Sequence, residues 1–179
     1  FIEIINLVLS VVVGIVAGAC LLRCYMQWFG SQLGAEQRKL IGVYLFPLTN
    51  WIVIPLRRVI PSIGLLDTAS LLAAYLLVFG KVAILSFLLV GSINVFSLLT
   101  TLFDLIDLTL SGLIGLVFVY VILSWLSAGS QTQYIVSLLI GPLLGPIQRM
   151  IPKLGALDLS PLILLLVLQI LQIVINSFK

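Results

Sequence analysis

The chain has 179 residues, of which 62% are hydrophobic and only 8% charged. A soluble domain carries about a quarter charged residues and roughly half apolar ones, so a water-solvated fold is excluded and lipid is the remaining solvent. The net charge of +3 comes from nine thinly scattered basic residues without neighbouring aromatic clusters, which speaks against a nucleic-acid partner. Histidine is absent, which removes the commonest general base and metal ligand.

A membrane-crossing helix needs about 20 mainly apolar residues. The first such stretch covers residues 4–28 and ends on Arg23 and Trp28, which read as interface anchors. It is too long for the apolar core of a signal peptide, and no small-residue cleavage site closes it. Within it, Gly14 and Gly18 form a small-residue pair suited to close helix approach, inside the bundle or at a homodimer seam. Cys20 and Cys24 read as small buried hydrophobes rather than as a metal or redox pair, because no other soft ligand accompanies them.

The second stretch, residues 69–95, begins just after Asp67 and contains Lys81. At 1.5 Å per residue Lys81 lies about 20 Å above the helix start, past the midplane of a hydrocarbon core about 30 Å thick. An ammonium group there must pair, snorkel or serve ion handling, and Asp107 is the acid nearest in level. The third stretch, residues 108–126, carries Ser111 and Gly115 as a second small pair and closes on Trp125. The fourth covers residues 159–178.

Basic residues gather on one side of this pattern. Arg38, Lys39, Arg57 and Arg58 lie between the first two stretches, and Arg149 and Lys153 between the last two, whereas the segment between the middle stretches holds only Asp104 and Asp107. The positive-inside rule therefore predicts both long loops in the cytoplasm and both termini outside.

The two halves repeat. Residues 55–72 read PLRRVIPSIGLLDTASLL and residues 146–163 read PIQRMIPKLGALDLSPLI. Without gaps, Pro55, Arg58, Pro61, Gly64 and Asp67 match Pro146, Arg149, Pro152, Gly155 and Asp158. Trp28 and Trp125 each close the stretch before the motif, and Pro47 and Pro142 each precede it, with four extra residues in the first copy. Two stretches per unit make the repeats parallel in the membrane rather than inverted.

Read physically, the motif is a structured turn. Its prolines argue against a long helix, and Gly64 and Gly155 suit a left-handed backbone. Asp67 and Asp158 stand where a carboxylate caps the helix that follows, with Ser70 and Ser160 adding hydrogen bonds and Pro161 tolerated in a first turn. The preceding residues 43–54 and 135–144 are too apolar for solvated loops and read as short interfacial helices or re-entrant turns. Arg58 and Arg149 then stand where they can pair with Asp67 and Asp158 or with lipid phosphates. Three readings of the motif stay open: helix caps with positive-inside anchors, an anion or lipid-phosphate site, or a partner-docking surface.

The two motif copies, together with Met26-Gln27-Trp28 and Ser124-Trp125, resemble the YggT family of bacterial membrane proteins over nearly the whole chain. Gln148 departs from the pattern, standing where the first copy has Arg57. The resemblance implies residence in the bacterial cytoplasmic membrane, no catalytic residues, and an accessory role in a family linked to osmotic tolerance, cell division and cytochrome assembly.

The expected fold is all-α and integral to the membrane, with four transmembrane helices from two parallel two-helix repeats at residues 1–102 and 103–179. Their motif loops fall at residues 29–68 and 127–158. The expected function is a non-enzymatic accessory or scaffold protein, with no cofactor or metal. Its motif residues Arg57, Arg58, Pro61, Gly64, Asp67, Arg149, Pro152, Gly155 and Asp158 would bind a membrane partner, an anionic phospholipid or a second copy. The alternative is an ion transport or channel component supporting osmotic tolerance, with Lys81 and Arg23 as its intramembrane charges.

Overall fold

In a computed structural model the chain forms six helices: α1 (Ile2–Trp28), α2 (Ala35–Val59), α3 (Thr68–Val90), α4 (Phe96–Leu126), α5 (Gln131–Met150) and α6 (Ser160–Ser177). The structure describes residues 2–29, 35–60, 64, 66–92, 96–126, 129–150 and 159–178. Pro61, Pro152, Gly155 and Asp158 of the repeated motif lie outside these residues.

Five helical segments are long and apolar enough to cross a membrane, not four: Ile2–Trp28, Arg38–Val59, Thr68–Leu89, Phe96–Leu126 and Ser160–Ser177. The chain is a multi-pass membrane protein. The additional segment is most of α2, where the sequence predicts only a short interfacial helix or a re-entrant turn. Pro47 and Pro55 both lie inside α2, and Pro142 and Pro146 lie inside α5, so proline does not exclude a long helix here. An interior proline costs about 3 kcal/mol in a soluble helix. In an apolar medium, however, abandoning the helix would strand many more backbone groups, so it continues past the gap. The later prolines mark the stops, since α2 ends at Val59, ahead of Pro61, and α5 ends at Met150, ahead of Pro152.

Contacts divide the chain into two units at Thr109–Leu110, within α4. The first unit packs α1, α2, α3 and the start of α4. Its core comprises Ala17 and Cys20 of α1, Val53 of α2, Ala69, Ala73, Ala74 and Val78 of α3, and Leu105 of α4. Small side chains bring α1 and α3 together, but they are alanines and cysteines rather than the predicted glycines. A Cβ added to Gly14, Gly18 or Gly115 would meet nothing within 4 Å, so none of them sits at a tight seam within the chain. Cys20 and Cys24 are buried and unbridged.

The second unit has its own core, built from Val117 of α4, Ile140 and Leu144 of α5, and Leu164, Leu165 and Leu168 of α6. Gln172 donates to the Ser111 hydroxyl at 2.9 Å, tying α6 to α4. In both units large apolar side chains face outward. On α1, Ile4, Leu7, Val11 and Ile15 follow helical spacing and are all more than half exposed, as a lipid-solvated face requires.

The helix ends follow local rules. Asp67 caps α3, accepting the Ser70 N–H at 3.3 Å, and Gly91 closes that helix at φ +74°, its N–H bonded to the Phe87 carbonyl at 3.0 Å. Pro161 stands in the first turn of α6, as predicted, with Leu159 at the cap position. Gly64 turns the chain into α3 with φ +60°. Nothing crowds its missing Cβ, so a substitution there meets backbone strain alone. Gly64→Ala should therefore lower stability by about 1 kcal/mol, and Gly64→Asn by less, as read by thermal unfolding in detergent.

Candidate functional site

The first unit gathers its charges at one corner. Asp67, fully buried, stands at the entry of α3 and orients its carboxylate through the Ser70 backbone N–H and the Ser70 hydroxyl, which donates to Oδ2 at 2.7 Å. Two guanidinium groups converge on the same oxygen. Arg57, from the last turn of α2, donates from Nη2 at 2.5 Å, and Arg23 Nε of α1 lies at 3.5 Å. Arg23 also donates from Nη1 to Thr49 Oγ1 at 3.1 Å and to Asn50 Oδ1 at 2.9 Å, both on α2. Its Cζ lies 4.9 Å from the Phe46 ring centroid, a cation–π distance. One buried carboxylate thus joins three helices.

This geometry corrects two expectations. Arg23 is not an anchor reaching for water: its side chain is only 12% exposed and turns inward, because Asp67, Thr49 and Asn50 offer three acceptors in one place. The partner of Asp67 is Arg57 rather than Arg58, which is exposed in the last turn of α2. Thr49, Asn50 and Phe46 had no place in the sequence-based site. The signal available for Asn50 was its position in the stretch that lengthens the first copy.

Arg23, Gln27, Arg38, Phe46, Arg57 and Asp67 line a cleft of about 160 Å³. Three guanidinium groups face it against one carboxylate, so the cleft is electropositive. Arg57 keeps 42% of its side chain exposed, and Arg38 is exposed. The arrangement can hold an oxyanion through forked N–H donors. No cluster of metal-ligating side chains occurs among the described residues.

The remaining predicted residues lie apart from this corner. Arg149 is exposed in the last turn of α5. Trp28 and Trp125 are 48% and 77% exposed at the ends of α1 and α4, positions suited to a headgroup boundary. Lys81 is half-buried within α3, at a distance along that helix from Asp67 at its start.

Among the described residues the second copy differs at two of these charges. Counted back from Trp28 and Trp125, Tyr120 stands where the first copy has Arg23, and Gln148 stands where it has Arg57. Tyr120 instead lines a neutral polar cleft with Ser130, Gln131, Gln133, Tyr134 and Ser137. There the Ser130 hydroxyl accepts the Gln133 N–H at 3.2 Å, and Gln133 Oε1 accepts the Gly129 N–H at 2.6 Å, forming a reciprocal cap at the start of α5.

Fold and site together define a multi-pass helical membrane protein with a buried ion-pair corner in its first unit. The CCB3/YggT family model matches it twice, over residues 2–88 and 99–178, and the chain belongs to that family. It is 35% identical to the uncharacterized protein YggT of Escherichia coli K12 over 174 residues, 94% of this chain and 87% of that protein. It is 37% identical to an uncharacterized protein of Vibrio alginolyticus over 130 residues, 70% of each chain. An uncharacterized protein of Haemophilus influenzae is 30% identical over 138 residues, 74% of this chain and 71% of that one. No solved structure matches.

Removing one partner of a buried charge set leaves the others uncompensated. Asp67→Asn should therefore cost about 3 kcal/mol, whereas Arg58→Gln should stay within about 0.5 kcal/mol. Unfolding in mixed micelles titrated with sodium dodecyl sulfate reads both.

Proposed function

We propose that this chain is a non-enzymatic accessory or scaffold protein of the bacterial cytoplasmic membrane, holding a membrane partner or anionic lipid at its first motif corner. The observation that carries this reading is the electropositive cleft beside Asp67, with Arg57 fixed at its edge and still 42% exposed. A cap or anchor alone would not need three guanidinium groups around one opening.

On this reading α2 lies along the cytoplasmic face rather than crossing. Basic residues stand at both of its ends, Arg38 and Lys39 at one and Arg57 and Arg58 at the other, and a crossing helix would export one pair against the positive-inside rule. Arg23 meets the middle of α2 while Arg57, at its end, meets the same Asp67 that Arg23 approaches. Tyr44 and Trp51 of α2 are 79% and 63% exposed and suit the headgroup boundary. With α2 on that face, four helices cross and both termini lie outside.

Purification in mild detergent followed by mass spectrometry should recover a reproducible protein partner or a retained anionic lipid with the wild-type chain, and less of either with Arg57→Gln. Recovery of a bare monomer would remove the proposal.

A second reading, an ion transport or channel component, draws on Lys81, half-buried about 20 Å along α3 from its start. A charge within an apolar helix at that depth is costly and is a common mark of an ion path. Lys81→Met should then change ion flux in reconstituted liposomes. Equal flux in both, or none in either, would exclude this reading.

A further inference from the structure

We propose that the cleft of the first unit is a phosphate site that takes one phosphate group per chain, and that the second unit has no counterpart. The inference rests on the accessory reading above and names the ligand chemistry of its site.

The charge balance comes first. Arg23, Arg38 and Arg57 line the opening, and among the described residues the one carboxylate there is Asp67. Asp67 neutralises one of the three, and its oxygens are already engaged by Ser70, Arg57 and Arg23. Two positive charges remain over a cleft whose floor includes Met26, Leu45 and Phe46. An apolar floor lowers the local dielectric, so this surplus attracts a compact multiply charged anion more strongly than it would in open water.

Donor geometry selects the anion. Arg23 is held by Thr49 and Asn50 through Nη1, so its orientation is set before any ligand arrives. Arg57 engages Asp67 through Nη2 alone, and a guanidinium carries about five N–H donors, so most of its fork is left for the opening. Gln27 adds an amide at the same rim. Forked donors around a small anion suit tetrahedral phosphate oxygens, and fixing the donors beforehand lowers the ordering cost of binding.

Size sets the limit. A cleft of about 160 Å³ is room for about five waters and lies below the roughly 300 Å³ at which pockets for larger ligands begin. It admits one phosphate group and leaves anything attached to it outside. That condition is met by a phospholipid headgroup with its tails in the bilayer and by free phosphate. The cleft lies where the apolar helix α1 ends and the apolar helix α3 begins, and headgroups stand beside the ends of crossing helices.

Among the described residues the second unit does not repeat this. Tyr120 and Gln148 stand at the positions matching Arg23 and Arg57, and its cleft is lined by neutral side chains.

The test uses the full-length protein, stripped of lipid in detergent and returned to phosphatidylethanolamine bilayers doped with phosphatidylglycerol. Native mass spectrometry should count one retained phosphatidylglycerol per chain. Arg38→Gln, which touches no ion pair of the corner, should weaken retention by about tenfold, and adding Arg57→Gln should abolish it. Lys39→Gln, which removes the same charge from α2 outside the cleft, should leave it unchanged. Equilibrium dialysis against inorganic phosphate separates the sources. Phosphate that binds and displaces the lipid makes free phosphate a ligand in its own right, and phosphate that does neither makes the headgroup the ligand. Two equal sites per chain, retention insensitive to Arg38→Gln, or no binding of either probe would overturn the inference. A protein partner captured through Arg57 without any phosphate dependence would leave the accessory reading standing and sink this one alone.

Discussion

The first unit is organised around a charge that the membrane makes expensive to leave alone. A carboxylate withdrawn from water pays several kcal/mol in lost hydration, and only close cations and hydrogen bonds offset it. Asp67 is fully buried, and the side chains that engage its carboxylate come from three helices: Arg23 from α1, Arg57 from α2 and Ser70 from α3. Buried ion pairs add little net stability over a well-packed apolar cluster, but their geometry is unforgiving. Van der Waals packing of apolar side chains tolerates small slips between helices, whereas a misplaced guanidinium here would leave a bare charge. We therefore regard the corner as fixing the register of α1, α2 and α3 while their alanine and cysteine contacts supply the packing.

Much of this was legible from residue types and spacing. The need for lipid followed from composition. Gly64 was readable because a left-handed turn favours glycine, and Asp67 because a carboxylate at the head of an apolar helix has few other uses. The family too was readable from the repeated motif. What escaped was tertiary. Arg23 near the end of an apolar stretch reads equally as an anchor reaching outward or as an ion-pair partner reaching inward, and only the acceptors on α2 decide between them. The choice between adjacent Arg57 and Arg58 is one of helical phase, about 100° apart, which no turn rule fixes when the helix boundary itself is unknown. That boundary was misread because proline was weighed as it would be in water. Against a bilayer, at its surface as well as within it, unpaired backbone groups are costly, so α2 runs through Pro47 and Pro55.

The glycine pairs failed for a related reason. Small residues at a spacing of four permit close approach but do not demand it. Gly14 and Gly18 lie in open space, whereas Ala17 and Cys20, between and beyond them on the same helix, are fully buried. A helix presents several small-residue stripes, and the one used is the one facing the partner helix. On α1 that direction is set by Arg23, whose inward turn carries Cys20 and Ala17, about one and two turns earlier, toward α3 with it.

The comparison of the two units carries the argument furthest. The two copies share a motif, and a buried charge in either is costly unless its partners are kept. The second copy keeps Asp158 in its sequence but has Gln148 and Tyr120, both neutral, at the positions matching Arg57 and Arg23. The first copy is braced instead. It has the longer α2, and the residues that lengthen it bring Asn50 beside Arg23. Apolar packing serves both copies alike, but a surplus of charge needs a fold that holds it in place, and among the described residues the first copy provides that.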